Sequence, residues 1–220
     1  MTSITAADGH QLDAYEVHPD GARASVVIVQ EIFGVNPHIR SVVDRYASFG
    51  YRAIAPALFD RIERGVEFGY DEPGKQRSIE IAMQIAFEPA MLDVAAAVAV
   101  TAETGPVGVV GYCFGGSLAW LSAADLPVAA AVGYYGGQVH GMIDRMPAAP
   151  TMLHFGELDA AIPLEQVEAI SAAHQDVPVH VYPGADHGFS CDARATHHAL
   201  SAAIALGRTL EFLTSNGVTP

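Results

Sequence analysis

Residues 107–120, VGVVGYCFGGSLAW, decide the fold of this chain. The first six, from Val107 to Tyr112, are apolar and rich in valine, which predicts a strand buried on both faces. A helix is predicted from Gly115 to Ala124. The link between them, Gly111-Tyr112-Cys113-Phe114-Gly115, matches a sharp strand-to-helix turn with a nucleophile at its centre. Small residues two before and two after Cys113 remove side-chain clashes, so its sulfur is expected to project from the top of a sheet.

Strand-like and helix-like segments alternate on both sides of this turn. Further strands are predicted at Ser25–Gln30, Tyr51–Ala55, Val128–Tyr134, Met152–Phe155 and Val179–Tyr182. Further helices are predicted at Pro37–Phe49, Gln76–Phe87, Ala90–Thr104, Leu164–His174 and Ala193–Leu213. Ile4–Val17 is expected to form a hairpin that turns at Asp8–Gly9, and Phe59–Gly74 a loop. This alternation indicates a mostly parallel sheet with helices on both faces, and the length suits a single domain, residues 1–220.

The composition argues against several classes of function. The chain has 11 basic and 25 acidic residues, a net charge of −14, which would repel nucleic acid. Its two cysteines, Cys113 and Cys191, are too few for a disulfide framework, and no CxxC or HxxxH pattern predicts a metal site. No signal peptide is recognisable, and no apolar run reaches the roughly 20 residues of a membrane span. We therefore expect a cytoplasmic protein with no membrane or nucleic-acid partner.

Cys113 is the candidate nucleophile. It would lie at a helix N-terminus, whose partial positive charge favours a thiolate. The backbone N–H of Phe114 would then be placed to stabilise an oxyanion. The alternative is a buried structural cysteine in a glycine-bearing turn, but the strand and helix predicted around the motif favour catalysis. Cys191 has no comparable context and is interpreted as an incidental small residue.

Candidates for the base and the acid follow two later strands. His187 lies in the loop after the Val179 strand, and Asp159 in the loop after the Met152 strand. Glu157 and Asp186 are rivals for the acid, although Asp186 adjoins the histidine and would hydrogen-bond it poorly. The order nucleophile, acid, base along the chain is that of α/β-hydrolases.

The same segments closely resemble the dienelactone hydrolase (carboxymethylenebutenolidase) family. The matching strings are QEIFGVN at 30–36, GYCFGG at 111–116, GYYG at 133–136, GELD at 156–159 and ADHGF at 185–189. The resemblance implies an α/β-hydrolase fold with no large lid, working as a monomer or small homo-oligomer. It also implies hydrolysis of dienelactone to maleylacetate, in the breakdown of chlorinated aromatics, without metal or cofactor. The expected substrate is therefore a small, anionic lactone or ester.

The resemblance also suggests roles for further residues. It implies that Glu31 contacts the resting thiol and takes its proton, and that the Ile32 N–H is the second oxyanion donor. Family members hold the substrate carboxylate with two arginines. Arg77 lies near the position of the first, and Cys191 stands at that of the second. Arg194, at the start of the predicted last helix, is a candidate substitute. Apart from the resemblance, four aromatic residues near strand ends are candidates to line the substrate site or to pack in the core: Phe33, Tyr134, Tyr135 and Phe189.

Other functions remain open at this point. A general carboxylesterase of the same family, with a different substrate, is the nearest alternative. A redox or thiol-sensing protein could use Cys113, with Cys191 as the only available resolving cysteine. A non-catalytic binding module would have no need for all of Glu31, Cys113, Asp159 and His187.

Overall fold

One eight-stranded sheet organises the chain, and a computed structural model describes all 220 residues. The strands are β1 (Thr2–Thr5), β2 (Gln11–Val17), β3 (Ser25–Val29), β4 (Arg52–Pro56), β5 (Val107–Tyr112), β6 (Ala130–Tyr134), β7 (Thr151–Gly156) and β8 (Val179–Tyr182). They lie in the order β1-β2-β4-β3-β5-β6-β7-β8. The β1–β2 hairpin and its pairing with β4 are antiparallel, and every other pair is parallel. This confirms the predicted class of sheet.

Five α-helices lie between these strands and a sixth follows the last one: α1 (Pro37–Ser48), α2 (Glu72–Ala82), α3 (Phe87–Thr101), α4 (Phe114–Asp125), α5 (Leu164–Ala173) and α6 (Ala199–Ser215). The start of α1 follows local chemistry, because Asn36 accepts a hydrogen bond from the Ile39 N–H and proline occupies the first turn. Short 3₁₀ turns occur at Leu58–Arg61 and His140–Met142. No single helix is long and apolar enough to cross a membrane; α2 and α3 reach that length only as a pair bent by 98°.

Several helix boundaries differ from the sequence-based predictions: α2 ends at Ala82 and not at Phe87, α3 runs from Phe87 to Thr101 and not from Ala90 to Thr104, and the starts of α6 and α2 also move. The predicted helix Ala193–Leu213 begins only at Ala199, because residues 192–196 form turns and the His198 side chain caps α6 by accepting from the Ser201 N–H. The segment expected to be a loop, Phe59–Gly74, contains a 3₁₀ turn and the start of α2. Asp71 caps α2 earlier than predicted, since its side chain accepts from the Gly74 N–H.

The central strands position the candidate nucleophile. β3, β5 and β6 are buried along their whole length, so β5 lies in the middle of the sheet with helices on both faces. α6 packs so closely on β5 that a Cβ at Gly108 would lie 2.7 Å from a methyl carbon of Leu213. The carboxyl end of β5 therefore opens at the middle of the sheet edge, where ligands bind in this class of fold.

Candidate active site

Cys113 occupies the strained turn between β5 and α4. Its backbone has φ 54° and ψ −113°, a conformation that a non-glycine residue rarely adopts. Glycine is required on both sides: a Cβ at Gly111 would overlap the Gly115 carbonyl oxygen, and one at Gly115 the carbonyl of Val29. The Cys113 N–H donates to the Tyr134 carbonyl at 2.9 Å, which fixes the turn to β6.

His187 connects Cys113 to Asp159. Its Nε2 lies 3.3 Å from Sγ of Cys113, and its Nδ1 lies 2.7 Å from Oδ2 of Asp159. Asp159 is buried, and its other oxygen accepts the Ala161 N–H at 2.9 Å, so the carboxylate has a fixed orientation. The structure thus brings the three residues, drawn from three different loops, into one hydrogen-bonded line.

The two rival carboxylates are engaged elsewhere. Glu157 is exposed and accepts the Gly184 N–H at 2.8 Å. Asp186 accepts the backbone N–H of His187 at 2.6 Å, so it supports the histidine loop. Neither is paired with the imidazole.

The electrostatics of the line favour a protonated imidazole. Burial alone would lower the pKa of His187, but hydrogen bonds to Asp159 and Cys113 outweigh it and raise the pKa from 6.5 to about 10. At neutral pH the imidazolium is therefore the favoured form. An imidazole next to a cysteine sulfur is the arrangement in which a base activates a nucleophile.

Two backbone N–H groups are available near the sulfur. Phe114 begins α4, where first-turn N–H groups have no acceptor within the helix. Ile32 follows β3, and its N–H takes part in none of the hydrogen bonds of the structure. The loop is held against the turn because Gly115 donates to the Gln30 carbonyl at 3.0 Å.

Gln30 is a supporting residue that sequence reasoning missed. Its buried side chain donates to the Glu31 carbonyl at 3.2 Å and accepts the Leu58 N–H at 3.1 Å. A glutamine can bridge two backbone groups because it carries both a donor and an acceptor. The only signal in the sequence is its place in the QEIFGVN string.

Glu31 is fully buried but does not contact the thiol as expected. Its Oε2 accepts from the Tyr70 hydroxyl at 2.8 Å, and its Oε1 lies 3.2 Å from Nη1 of Arg194. A buried carboxylate needs such partners, and with both oxygens engaged Glu31 forms no hydrogen bond with Cys113. Burial and the Glu31 charge raise the pKa of Tyr70, so this phenol stays protonated and donates. Tyr70 lies in the segment expected to be a loop and carries no pattern that would have identified it.

Arg194 lies in the turn before α6, within a small aromatic enclosure. Its guanidinium carbon is 5.9 Å from the ring centre of Phe33 and 5.8 Å from that of Tyr70. A Cβ at Gly188 would lie 2.6 Å from that carbon, so glycine leaves room for the guanidinium. The structure therefore places Arg194 beside Glu31, with Phe33 packed against the guanidinium.

Two candidate substrate residues lie away from Cys113. Arg77 is half-exposed on α2, paired with Glu63 at 3.0 Å and Glu80 at 2.9 Å, and does not border the cavity at Cys113. Tyr134 is buried, with its hydroxyl 2.6 Å from that of Thr209 in α6. Neither side chain borders the cavity at Cys113, although both were expected to contact substrate.

A cavity of about 560 Å³ opens over Cys113 and His187. Besides these two residues it is lined by uncharged side chains: Ile32, Ile79, Ala82, Met83, Ile85, Phe87, Phe114, Ser117, Gly137, Gln138 and Ala161. Phe87 and Phe114 stack at its wall, with ring centres 5.5 Å apart. The cavity thus offers an apolar surface next to the sulfur, without lysine, arginine or a carboxylate in its lining.

The sheet order and the strained turn at the end of β5 define an α/β-hydrolase, with no lid domain between the strands and helices. Residues 12–216 match the model of the dienelactone hydrolase family. The chain therefore belongs to the dienelactone hydrolase family, whose members are hydrolases of ester or lactone bonds. This confirms the resemblance inferred from the sequence.

Individual relatives agree with this assignment. The chain is 34% identical to a carboxymethylenebutenolidase of Pseudomonas putida, over 96% of this chain and 94% of that protein. It is 36% identical to a putative carboxymethylenebutenolidase of Synechocystis sp., over 81% and 80%. The crystal structure of a putative dienelactone hydrolase from Klebsiella pneumoniae superposes with a TM-score of 0.83 at 31% identity, covering 96% of this chain and 97% of that one.

Proposed function

We propose that this chain, as a single domain over residues 1–220, hydrolyses a carboxylic ester or enol lactone through a thioester on Cys113. His187 acts as acid and base, and Asp159 orients it. The observation that carries the proposal is the position of the His187 ring, within hydrogen-bonding distance of Sγ on one side and of a buried carboxylate on the other.

The proposed first half-reaction forms the thioester. The Cys113 thiolate attacks the substrate carbonyl carbon, and the new oxyanion accepts hydrogen bonds from the Ile32 and Phe114 N–H groups. When the tetrahedral intermediate collapses, the carbon–oxygen bond to the leaving group breaks. The leaving oxygen takes the proton of the His187 imidazolium. In a lactone this oxygen remains attached, so the whole opened chain stays on the sulfur.

The second half-reaction releases the acid. Neutral His187 takes a proton from a water molecule, which attacks the thioester carbon. Collapse breaks the carbon–sulfur bond and regenerates the thiolate and the imidazolium, while the product leaves as a carboxylic acid. Asp159 stays ionised throughout and holds Nδ1, so Nε2 faces the sulfur in both halves.

We also propose a role for Glu31 in the resting enzyme. Family resemblance suggests that this residue accepts the thiol proton when it reaches Cys113. Its position here, between Tyr70 and Arg194, corresponds to the state in which the thiolate is left to His187. A substrate carboxylate that reached Arg194 would have to compete with Glu31 for the guanidinium.

The cavity favours a broader substrate range than dienelactone alone. Dienelactone remains a candidate substrate because relatives bear the name carboxymethylenebutenolidase. A cavity lined by apolar side chains, however, suits an uncharged acyl or aryl group. We therefore retain a general carboxylesterase as the second candidate. Thioester formation needs a good leaving group, so activated esters and enol lactones are preferred over amides.

A substrate panel tests the proposal. We would measure kcat/KM for dienelactone, a neutral aryl acetate and a longer aryl ester, with the wild type, C113A and C191S. The proposal expects turnover of at least one class by the wild type and by C191S, and none by C113A. Turnover by C113A at the wild-type rate would refute it. Preference for the longer neutral ester over dienelactone would favour the carboxylesterase.

The two thiols bear on the compartment of the enzyme and on the alternative of a thiol-sensing protein. Both cysteines are free, and a thiolate nucleophile survives best in a reducing compartment, so we propose a cytoplasmic enzyme. A thiol-sensing role for Cys113 would need Cys191 as its resolving partner. Unchanged hydrolysis by C191S, together with the same rate of peroxide inactivation, would argue against it.

A further inference from the structure

Three buried side chains beside the active site have donor atoms suited to a metal ion. A carboxylate oxygen of Glu31, a ring nitrogen of His38 and Sγ of Cys191 lie within 4.8 Å of one another. All three residues are buried, and they come from the loop after β3, the first turn of α1 and the loop after His187. We call them the Glu31–His38–Cys191 cluster. The proposed hydrolysis uses neither His38 nor Cys191.

His38 points to a missing ligand. Its Nδ1 lies 3.0 Å from Oδ1 of Asp192, so Nδ1 carries the hydrogen and Nε2 carries the free lone pair. Nε2 is buried and has no hydrogen-bond partner, while the side chain is only 1% exposed. Histidines that bind metals commonly donate their other ring N–H to a carboxylate in this way, which fixes the tautomer.

Cys191 supplies a thiol with no partner in catalysis. Its side chain is completely buried, and Sγ lies within 4.8 Å of a carboxylate oxygen of Glu31 and a ring nitrogen of His38. On binding, a metal ion would displace the thiol proton to solvent and take the thiolate as a ligand.

We propose that the Glu31–His38–Cys191 cluster is a binding site for a divalent transition-metal ion of the zinc class. One thiolate, one imidazole and one carboxylate are the donors that Zn²⁺ takes, with a fourth position left for water. At bond lengths of about 2.0–2.3 Å, tetrahedral ligand atoms lie roughly 3.2–3.8 Å apart, so side chains now up to 4.8 Å apart need to move inward by about an ångström.

An entry path and a consequence follow from the surroundings. A cavity of about 330 Å³ borders the cluster, lined in part by His38, Tyr70 and Ala193. A metal on Glu31 would compete with Tyr70 and Arg194, which now hold both of its oxygens. Where the proposed hydrolysis holds, we expect the bound ion to inhibit, because it would release Arg194 from Glu31 and disturb the loop that carries the proposed Ile32 N–H donor.

Cobalt spectroscopy tests the site independently of activity. The chain has only two cysteines, so in a C113S background Cys191 is the sole thiol. Titration of C113S with Co²⁺ should give a thiolate-to-cobalt charge-transfer band that saturates at one equivalent and is displaced by Zn²⁺. C113S/C191S should give no band. Absence of the band in folded C113S would overturn the proposal.

Two further variants distinguish a built site from a thiol that binds metal alone. H38Q in the C113S background removes a ligand, and D192N removes the carboxylate that orients it while leaving the ligand in place. We expect D192N to weaken Co²⁺ binding by about 10- to 100-fold and H38Q by more. Unchanged affinity in both, with near-wild-type circular dichroism, would also overturn the proposal.

Inhibition of ester hydrolysis by the bound ion is tested by a separate measurement. Zn²⁺ should inhibit ester hydrolysis by the wild type, and C191S should retain activity and resist inhibition. Equal inhibition of both enzymes would place the inhibitory ion at Cys113 and His187 and refute that consequence. If no ester is hydrolysed but the cobalt band appears, the proposed function fails and the metal site stands.

Discussion

Arg194 holds Glu31 at 3.2 Å, and the pair is set among Phe33 and Tyr70 rather than in open solvent. The Glu31 side chain is 0% exposed and that of Arg194 is 19% exposed. Burial would lower the pKa of Arg194, but the charge of Glu31 outweighs it and raises the pKa, so the guanidinium stays charged. The position of Glu31 depends on this ion pair and on the hydrogen bond from Tyr70.

Removal of Arg194 should therefore destabilise the protein. R194A leaves the Glu31 carboxylate buried with only the Tyr70 hydrogen bond, and we expect a loss of about 3 kcal/mol in the free energy of unfolding, measured by urea denaturation. R77A is the matched control, since Arg77 pairs with two exposed carboxylates. It should change the free energy of unfolding by less than about 0.5 kcal/mol. The double variant E31Q/R194A should recover part of the loss. Equal effects of R194A and R77A would contradict a buried pair.

Asp159 should affect turnover far more than the neighbouring carboxylates. D159N keeps the shape but loses the charge that orients and stabilises the imidazolium, so we expect kcat to fall by about 10³- to 10⁴-fold. E157Q, at an exposed position in the same loop, should leave kcat almost unchanged. Steady-state kinetics with an aryl ester make the comparison, and a large loss in E157Q with a small loss in D159N would reassign the acid.

The pKa of His187 gives stability a dependence on pH with a defined sign. In the unfolded chain the imidazole loses its proton near 6.5, whereas in the folded protein it keeps it to about 10. The folded state binds the extra proton in this window, so the stabilisation is complete below about pH 6.5 and is lost as the pH rises toward 10.

Urea unfolding of the wild type and H187Q measures this dependence. At about pH 7, 8 and 9, the difference in unfolding free energy between them should shrink as the pH rises. H18Q, at an exposed histidine, should track the wild type. A difference that stays constant or grows would show that His187 is not protonated in the fold.

The turn around Cys113 should tolerate no added methyl group. In G115A the new Cβ would overlap the Val29 carbonyl, so we expect a loss of roughly 1–3 kcal/mol or more and a displaced nucleophile with little activity. G207A is the matched control, because a Cβ there meets nothing within 4 Å and the residue lies inside α6. It should be neutral or stabilise by about 0.5–1 kcal/mol, measured by thermal unfolding. Full activity in G115A would contradict the strained turn.

The sequence predicted the sheet and the residues around Cys113 because these rest on local patterns. Residues 107–125 contain in succession a buried strand, a glycine-flanked nucleophile and a helix. The candidate acid, Asp159, and the candidate base, His187, each lie in the loop that follows a strand. The packing of parallel strands then brings those loops to one edge. No local sequence pattern predicts that Tyr70 and Arg194 contact Glu31. Both contacts depend on loops, distant in sequence, that fold across the edge of the sheet.

The positions of Arg77 and Tyr134 show what a single sequence leaves open. On α2, Ile79 and Ala82 line the cavity, and Arg77 is two positions from Ile79, about 200° around the helix, so it faces elsewhere. Successive residues at a strand end likewise point apart: Tyr134 turns toward Thr209, while the ring of Tyr135 lies 5.1 Å from that of His187. The register at the end of β6 decides which of the two tyrosines faces the site. Two adjacent tyrosines in a sequence do not reveal that register.

The most direct measurement of the central claim is to trap the acyl group on the enzyme. Wild-type protein would be mixed with an excess of an aryl ester, quenched in acid during turnover and digested, and the modified residue located by mass spectrometry. Our account predicts an acyl mass on Cys113, removed by hydroxylamine, present in C191S and absent in C113A. An acyl group on any other residue, or turnover by C113A at the wild-type rate, would contradict it.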